Sequence, residues 1–350
     1  MRNTQIPLFT PDTEWVMPEE LKNLKGVKQI AVDLETNDPN LKELGSGNVI
    51  KNGHIAGVAL ATEGWSGYYP ISHESGGNMD KKLVYGWLQD IFNQVDTTFI
   101  FHNAMYDVCW LRSEGLIIKG KIVDTMIAAS LIDENRLTYQ LNPLARHYVG
   151  IGKDEKILND AAKEYGLDPK KDIWRLPAMF VGQYAERDAE ATLKLWQRLE
   201  HEMYTQELWD IFNLEIKLFP CLVDMRFKGV RVDLEKATQI KQNLIKRENK
   251  ILNDIKALVG FHVEISAARS IAKAFEQLKL PYDRTEKSNE PSFTKNFLQN
   301  HPHELPKAIA EARELNKAHG TFIDSITKHA HNGRIHADIN QIRSDQGGTV

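Results

Sequence analysis

Residues 29–36, Gln-Ile-Ala-Val-Asp-Leu-Glu-Thr, constrain the fold of this chain more than any other stretch. Ile30, Ala31 and Val32 read as the start of a buried strand, which ends in two acids, Asp33 and Glu35. Side chains two apart on a strand point to one face, so the two carboxylates converge. Burying acids has to be compensated, and a hard divalent cation suits converging oxygen ligands best. The spacing alone is a weak signal: Asp12/Glu14 and Asp233/Glu235 repeat it and read as solvated or capping acids. The strand in front of Asp33 and the acids that follow later set this pair apart.

The neighbouring pattern supplies a sheet for that strand. Segments 54–61 and 65–71 read as two more strands with short connections, a meander, and 83–92 as a helix. Residues 98–103 read as a buried strand flowing into a helix that carries Val108 and Leu111, and 122–124 as a last short strand before an amphipathic helix over 125–132. Helices are expected over 138–148 and 155–165, and Pro177 opens a longer one through Tyr184 and Trp196. The fold class is therefore α/β, a mixed sheet with flanking helices. From residue 208 the alternation stops. Residues 211–226 are helical, 229–233 form a brief extended crossing, and Asp233 caps a helix running to Gly260. Its stripe of Ala237, Ile240, Leu244, Ile251, Ile255 and Leu258 predicts a hairpin with a helix over 304–328, in preference to a coiled-coil dimer.

Two further acids accompany the first pair. Asn103 and Asp107 are four residues apart, as are Tyr184 and Asp188, so on expected helices each pair shares a face. The patterns N-x-x-x-D and Y-x-x-x-D each occur once in the chain. Taken singly, Asn103 is a helix cap and Tyr184 a core residue with a wet hydroxyl; taken jointly with the sheet, they point to a metal-dependent site. Composition agrees. With 350 residues, 42% hydrophobic and 26% charged, the chain has room for two cores. Only Cys109 and Cys221 are present, which excludes a disulfide scaffold and a thiolate zinc site. No segment has the apolar length of a signal peptide core or a bilayer span, so the expectation is a cytoplasmic protein without a membrane partner. Residues 1–205 carry a net charge of −7 and residues 206–350 one of +3, as suits a metal-binding half beside a half that touches phosphates.

With Val32-Asp-Leu-Glu-Thr36, His102-Asn-Ala-Met-Tyr-Asp107 and Tyr184-Ala-Glu-Arg-Asp188 in this order, the chain resembles the DEDD exonuclease superfamily, and specifically the proofreading domain of family A DNA polymerases. It falls in the tyrosine subclass, because the position where the other subclass has histidine is Gln183. The resemblance implies a ribonuclease H-like sheet over residues 28–207, after a preamble of 1–27, and a 3′-5′ exonuclease using two Mg²⁺ (or Mn²⁺) ions. It further implies that Asp33 bridges the metals, Glu35 and Asp188 hold the ion that binds the attacking water, and Asp107 supports the second. Tyr184 then orients the water, and Asn103 binds the substrate strand or braces Asp107. Asp124-Thr-Met126 is also family-like and reads as a helix start; His102, Cys109 and Asp124 are expected to pack or cap.

The similarity runs on from about Lys28 to the end. Met225-Arg-Phe-Lys-Gly-Val-Arg-Val-Asp233, Pro291-Ser-Phe-Thr-Lys-Asn-Phe-Leu298 and Gly333-Arg-Ile-His336 with Asn340-Gln341 resemble the thumb and its exit in the same polymerases. Residues 208–330 are then a helical thumb-like region that grips duplex DNA through phosphates and the minor groove, with Arg269, Lys273, Lys287 and Lys295 as candidate contacts. Residues 331–350 read as the start of a palm, without the palm aspartates or the fingers helix. The expectation is a phage-like N-terminal polymerase part in a bacterial host cytoplasm, partnered by DNA and by a separate palm-and-fingers chain, and incorporating no nucleotide by itself. A non-catalytic assembly half and a DEDD ribonuclease are the alternatives.

Overall fold

The apolar run after Lys28 forms β1 (Gln29–Asn37), the middle strand of a five-stranded sheet. The structure is a computed structural model that describes residues 12–152 and 155–342. A one-turn helix, α1 (Leu41–Leu44), follows β1, and then β2 (His54–Thr62) and β3 (Trp65–Pro70) fold back in antiparallel pairing, the expected meander. After α2 (Lys81–Phe92), β4 (Thr98–Phe101) pairs with β1 in parallel; α3 (Ala104–Ser113) then leads to β5 (Lys121–Asp124), parallel to β4. The strand order β3-β2-β1-β4-β5 is the mixed, ribonuclease H-like sheet expected from the sequence.

Alternation along β1 sorts its side chains onto two different faces. Ile30, Val32 and Leu34 join Val58, Leu60, Phe99 and Phe101 in a core roofed by α2 and α3. The other face presents Ala31, Ala59 and Ala61, and is covered by α4 (Thr125–Ile132), α5 (Leu141–Val149), α6 (Lys156–Glu164) and the long α7 (Ala178–Thr205). On α7, Ala185 and Ala189 are buried in the same core. Small residues on both sides let helix and sheet approach closely. Asp33 and Glu35 share the face of Ala31 and therefore point towards α7.

The molecule divides into two compact units, one made of the chain up to Gly229 together with the chain from Ala337 on, the other of residues Val230–His336. The first unit thus runs past the boundary expected at residue 207. The reason lies on α8 (Trp209–Lys228): Phe212 packs on Trp196, and Phe219 and Val223 join the core beneath α2 and α3. The expected preamble also belongs to this unit where it is described, since Leu24 is buried in that core and Trp15 covers Gly182. Residues 1–11 and 343–350, the latter part of the expected palm start, lie outside the described residues.

In the second unit, β6 (Val230–Arg231) leads into α9 (Leu234–Val259), capped by the Asp233 carboxylate on the Lys236 N–H and closed by left-handed Gly260, as expected. α10 (Ala268–Gln277), the hairpin β7 (Asp283–Arg284) and β8 (Pro291–Ser292), and α11 (Lys295–Asn300) precede α12 (Glu304–Lys317), which returns along α9 in the expected hairpin. After a π-helical turn at Ala318–Ile323 come α13 (Asp324–His329), β9 (Ala330–His331) and β10 (Arg334–Ile335). The buried stripe of α9 differs from the expected one. Ile240 and Leu258 are exposed, whereas Glu248 and Val259 are buried with Ile255, because the seam follows the helical period and includes an acid. Glu248 is held there by the Asn316 amide at 2.9 Å and by His319 Nε2 at 2.5 Å.

Candidate active site

At the end of β1, Asp33 pairs with Ala59 and Glu35 with Gly57, and the register slips between Glu35 and Thr36. The bulge interrupts the ladder directly after the second acid, and pairing resumes with Thr36 opposite Ile55 and Asn37 opposite His54. Glu35 is buried and Asp33 half-buried. Gly57 has to be glycine, because a Cβ there would stand 2.1 Å from the Tyr68 hydroxyl.

The third acid arrives from the start of α3. Asn103 precedes that helix with φ 68° and ψ 56°, left-handed and exposed, and its side chain makes no cap. It therefore does not share a helical face with Asp107, contrary to the expectation from spacing, because a left-handed residue breaks the helical period before it begins. Asp124 makes the cap instead. Its carboxylate accepts from the N–H groups of Asn103 at 3.1 Å, Ala104 at 2.7 Å and Met126 at 2.8 Å, and so closes the N-termini of α3 and α4 together. Asp107 lies buried in the first turn of α3 and takes a hydrogen bond from the Leu34 N–H of β1. Burial first, then the charges of Asp33 and Asp124, push its carboxyl well above the ordinary range.

The remaining pair comes from α7, where Tyr184 and Asp188 do share one face. Asp188 is buried, and the Tyr184 hydroxyl hydrogen-bonds to it. Burial, then Glu35, Asp188 and Asp33, raise the Tyr184 phenol well above its usual value of 10.0. Asp33 thus acts on Asp107, and Asp33, Glu35 and Asp188 act on Tyr184, which puts the five groups in one neighbourhood built from β1, α3 and α7. Asn103 stands apart, on the rim of a cleft of about 480 Å³ that Tyr106, Met126, Tyr139 and Gln140 also line.

Tyr68 belongs to this neighbourhood too and had no signal in its spacing. It is fully buried on β3, and its hydroxyl is raised by burial and then by Glu35 and Asp33. Glu186, also unforeseen, sits inside Tyr184-Ala-Glu-Arg-Asp188, where adjacency alone could have marked it. In the second unit, Arg269 pairs with Glu290 at 2.9 Å and Lys295 with Glu314 at 2.9 Å, so two of the four candidate phosphate contacts are engaged by acids.

Asp33, Glu35, Asp107 and Asp188 supply the carboxylate oxygens that hard divalent cations favour, and Asp33 opposes the ionisation of Asp107. Among the described residues, no three His, Cys, Asp or Glu side chains are already closed around one point. The fit therefore rests on donor chemistry and on the mutual charge of the group.

Residues 9–204 match the 3′-5′ exonuclease family, and residues 234–348 match DNA polymerase family A. A DNA-directed DNA polymerase of Pseudomonas phage M6 is 35% identical over 98% of this chain and 53% of its own length. The DNA polymerase DpoZ of Acinetobacter phage SH-Ab 15497 is 29% identical over 93% of this chain and 53% of its own. The chain thus spans about half the length of these curated relatives. In fold it is similar to the polymerase domain of Pol1 from M. smegmatis in complex with DNA primer-template and dNTP, with a TM-score of 0.69 at 16% identity over 90% of this chain and 50% of that one. With a sheet and an acid-bearing site of this kind within residues 9–204, the chain belongs to the 3′-5′ exonuclease family, followed by a stretch that matches DNA polymerase family A.

Proposed function

We propose that this chain hydrolyses the 3′ ends of single-stranded DNA, with Asp33, Glu35, Asp107 and Asp188 as ligands for two divalent ions, Mg²⁺ or Mn²⁺, and Tyr184 as the residue that orients water. The observation that carries the proposal is that Asp33 of β1 acts on Asp107 of α3, while Asp33, Glu35 and Asp188 act on the Tyr184 phenol of α7. When bound, such ions lower the pKa of water and stabilise a departing 3′ oxygen.

The chain's own residues do the rest. The β1 ladder and its bulge hold Asp33 and Glu35 on the side of α7, and the Leu34 N–H steadies Asp107 against the same strand. Tyr184, its phenol kept protonated above the ordinary range by burial and then by the surrounding acids, is suited to donating or accepting a hydrogen bond and not to removing a proton. The half-exposed Asp33 marks the open side by which a strand end enters. The exposed rim with Asn103 suits a contact to that strand. We assign duplex binding to the second unit, where Lys273 and Lys287 are the candidates that no described ion pair engages.

Incubation of the chain with 3′-labelled single-stranded DNA, single-stranded RNA and blunt duplex, with Mg²⁺ and with a chelator, tests this. Mg²⁺-dependent release of mononucleotides from single-stranded DNA is expected. Release from RNA alone would turn the reading to a ribonuclease, and no release from either would leave a binding function.

A further inference from the structure

Tyr68 ties the strands of the site to its long helix, and the chemistry above makes no use of it. Asp33, Ala59 and Tyr68 lie side by side across β1, β2 and β3. Since β3 is the outer strand, its N–H groups on the far side have no strand to bond. The Tyr68 N–H is taken by Glu186 Oε1 at 2.9 Å, and Glu186 lies on α7 between Tyr184 and Asp188. The same oxygen accepts from Trp15 Nε1 at 2.8 Å.

The hydroxyl of Tyr68 makes a second tie. His73 Nδ1 lies 2.9 Å from the Leu176 carbonyl, which can only accept, so Nδ1 carries the proton and Nε2 is left with a lone pair. The Tyr68 hydroxyl donates to Nε2 at 2.6 Å. Burial pulls the His73 pKa down to about 4, which keeps the ring neutral in this arrangement. The Asn78 side chain fixes the backbone of His73 from both sides, accepting from its N–H at 2.7 Å and donating to its carbonyl at 2.8 Å. Leu176 immediately precedes Pro177, from which α7 starts.

We infer that Tyr68, His73 and Glu186 form a two-point brace that sets the register of α7 on the sheet, and so the distance of Tyr184 and Asp188 from Asp33 and Glu35. Beside the ties, Ala31 and Ala59 of the sheet share one buried core with Ala185 and Ala189 of α7, small side chains that give the seam little relief, while Phe180 and Val181 add larger ones towards the start of the helix. One tie fixes a point. Two, one at Leu176 just before the helix and one at Glu186, about 12 Å along it from its first residue, Ala178, fix translation and rotation together. These are positioning residues, and the inference rests on the nuclease reading proposed above.

The test compares Glu186→Ala, Glu186→Gln and Tyr68→Phe with the wild-type chain in three readouts: kcat and KM on labelled single-stranded DNA, Mn²⁺ affinity by calorimetry without DNA, and the melting temperature. Displacing a ligand pair by a fraction of an ångström should lower kcat roughly ten- to a hundredfold in Glu186→Ala, with KM for DNA within about twofold. Mn²⁺ affinity should fall several-fold, roughly in step. Glu186→Gln, which keeps the accepting oxygen, should recover most of both losses, and Tyr68→Phe, which keeps the N–H tie, should lie between. A folded Glu186→Ala with unchanged kcat and Mn²⁺ affinity overturns the brace, as does a Glu186→Gln no better than Glu186→Ala. If Glu186→Ala does not fold, the other two variants decide by the same criteria. A wild-type chain that binds Mn²⁺ but cuts no DNA sinks the nuclease reading while the Mn²⁺ titration still decides the brace; one that does neither overturns both.

Discussion

Asp107 shows how a single residue carries both function and a stability penalty. Its folded pKa is raised, so between the unfolded value near 4 and the folded value the native chain keeps a proton that the unfolded chain has lost. Stability therefore falls as pH rises through that window and stays low above it. Asp107→Asn should raise the melting temperature at neutral pH in the presence of a chelator, by about 2–4 °C per kcal/mol relieved, and should lose activity. A melting temperature unchanged or lower at pH 7, and no closer to wild type in acid, would count against the buried, like-charged setting of this group. Asp33→Ala and Asp188→Ala should each abolish exonuclease activity, because each removes an expected metal ligand. Tyr184→Phe should be milder, roughly tenfold, since only the orientation of water is lost. Mononucleotide release by any of the three at the wild-type rate would remove that residue from the site.

Among the elements, the start of α3 depends on a residue outside it. Asn103 stands at its N-cap without capping, and the buried Asp124 serves both α3 and α4. Asp124→Ala leaves several buried N–H groups without acceptors and should cost about 2–4 kcal/mol, read as a shift of the denaturation midpoint. Because α3 carries Asp107, the nuclease should weaken further than the fold does. Asp124→Asn, with one accepting oxygen left, should fall between the two. An Asp124→Ala chain as stable as wild type would show that the N-termini of these helices find other partners. α9 makes the complementary point. Asp233 and Gly260 announce its ends in the sequence, while its buried face admits Glu248, which a count of apolar residues passes over.

For the whole molecule, the proposed function couples a cleft for single strands to a basic region for duplex, and a 3′ end has to unpair to reach the acids. Unpairing costs a few kcal/mol and least at a mismatch, so mismatched primer ends should be degraded faster than matched ones. Equal rates on both would speak against separate binding places. Affinity for DNA should fall linearly with the logarithm of salt concentration, with a slope that reports the number of phosphates contacted. A flat response would exclude a phosphate-gripping region.

The sequence by itself determined most of the elements of this protein. The meander, the parallel crossing strands, the ends of α4 and α9 and the hairpin of α9 with α12 were legible because periodicity, capping residues and glycines act over a few neighbours. The five residues of the proposed site were picked out in the sequence as well, since D-x-E, Asp107 and Y-x-x-x-D keep a family order. Tertiary structure alone decided what lies far apart in sequence and close in space. It placed α8 with the first unit, because Phe212, Phe219 and Val223 found their cores there. It turned Asn103 out of the helix it was expected to share with Asp107, because Asp124, 21 residues on, holds the N–H groups at that turn. It also set Tyr68 between strand and helix, tied to Glu186 118 residues away in the chain. No spacing records such a tie, because a hydrogen bond between distant segments depends on the packed distance between them and not on the residues that intervene.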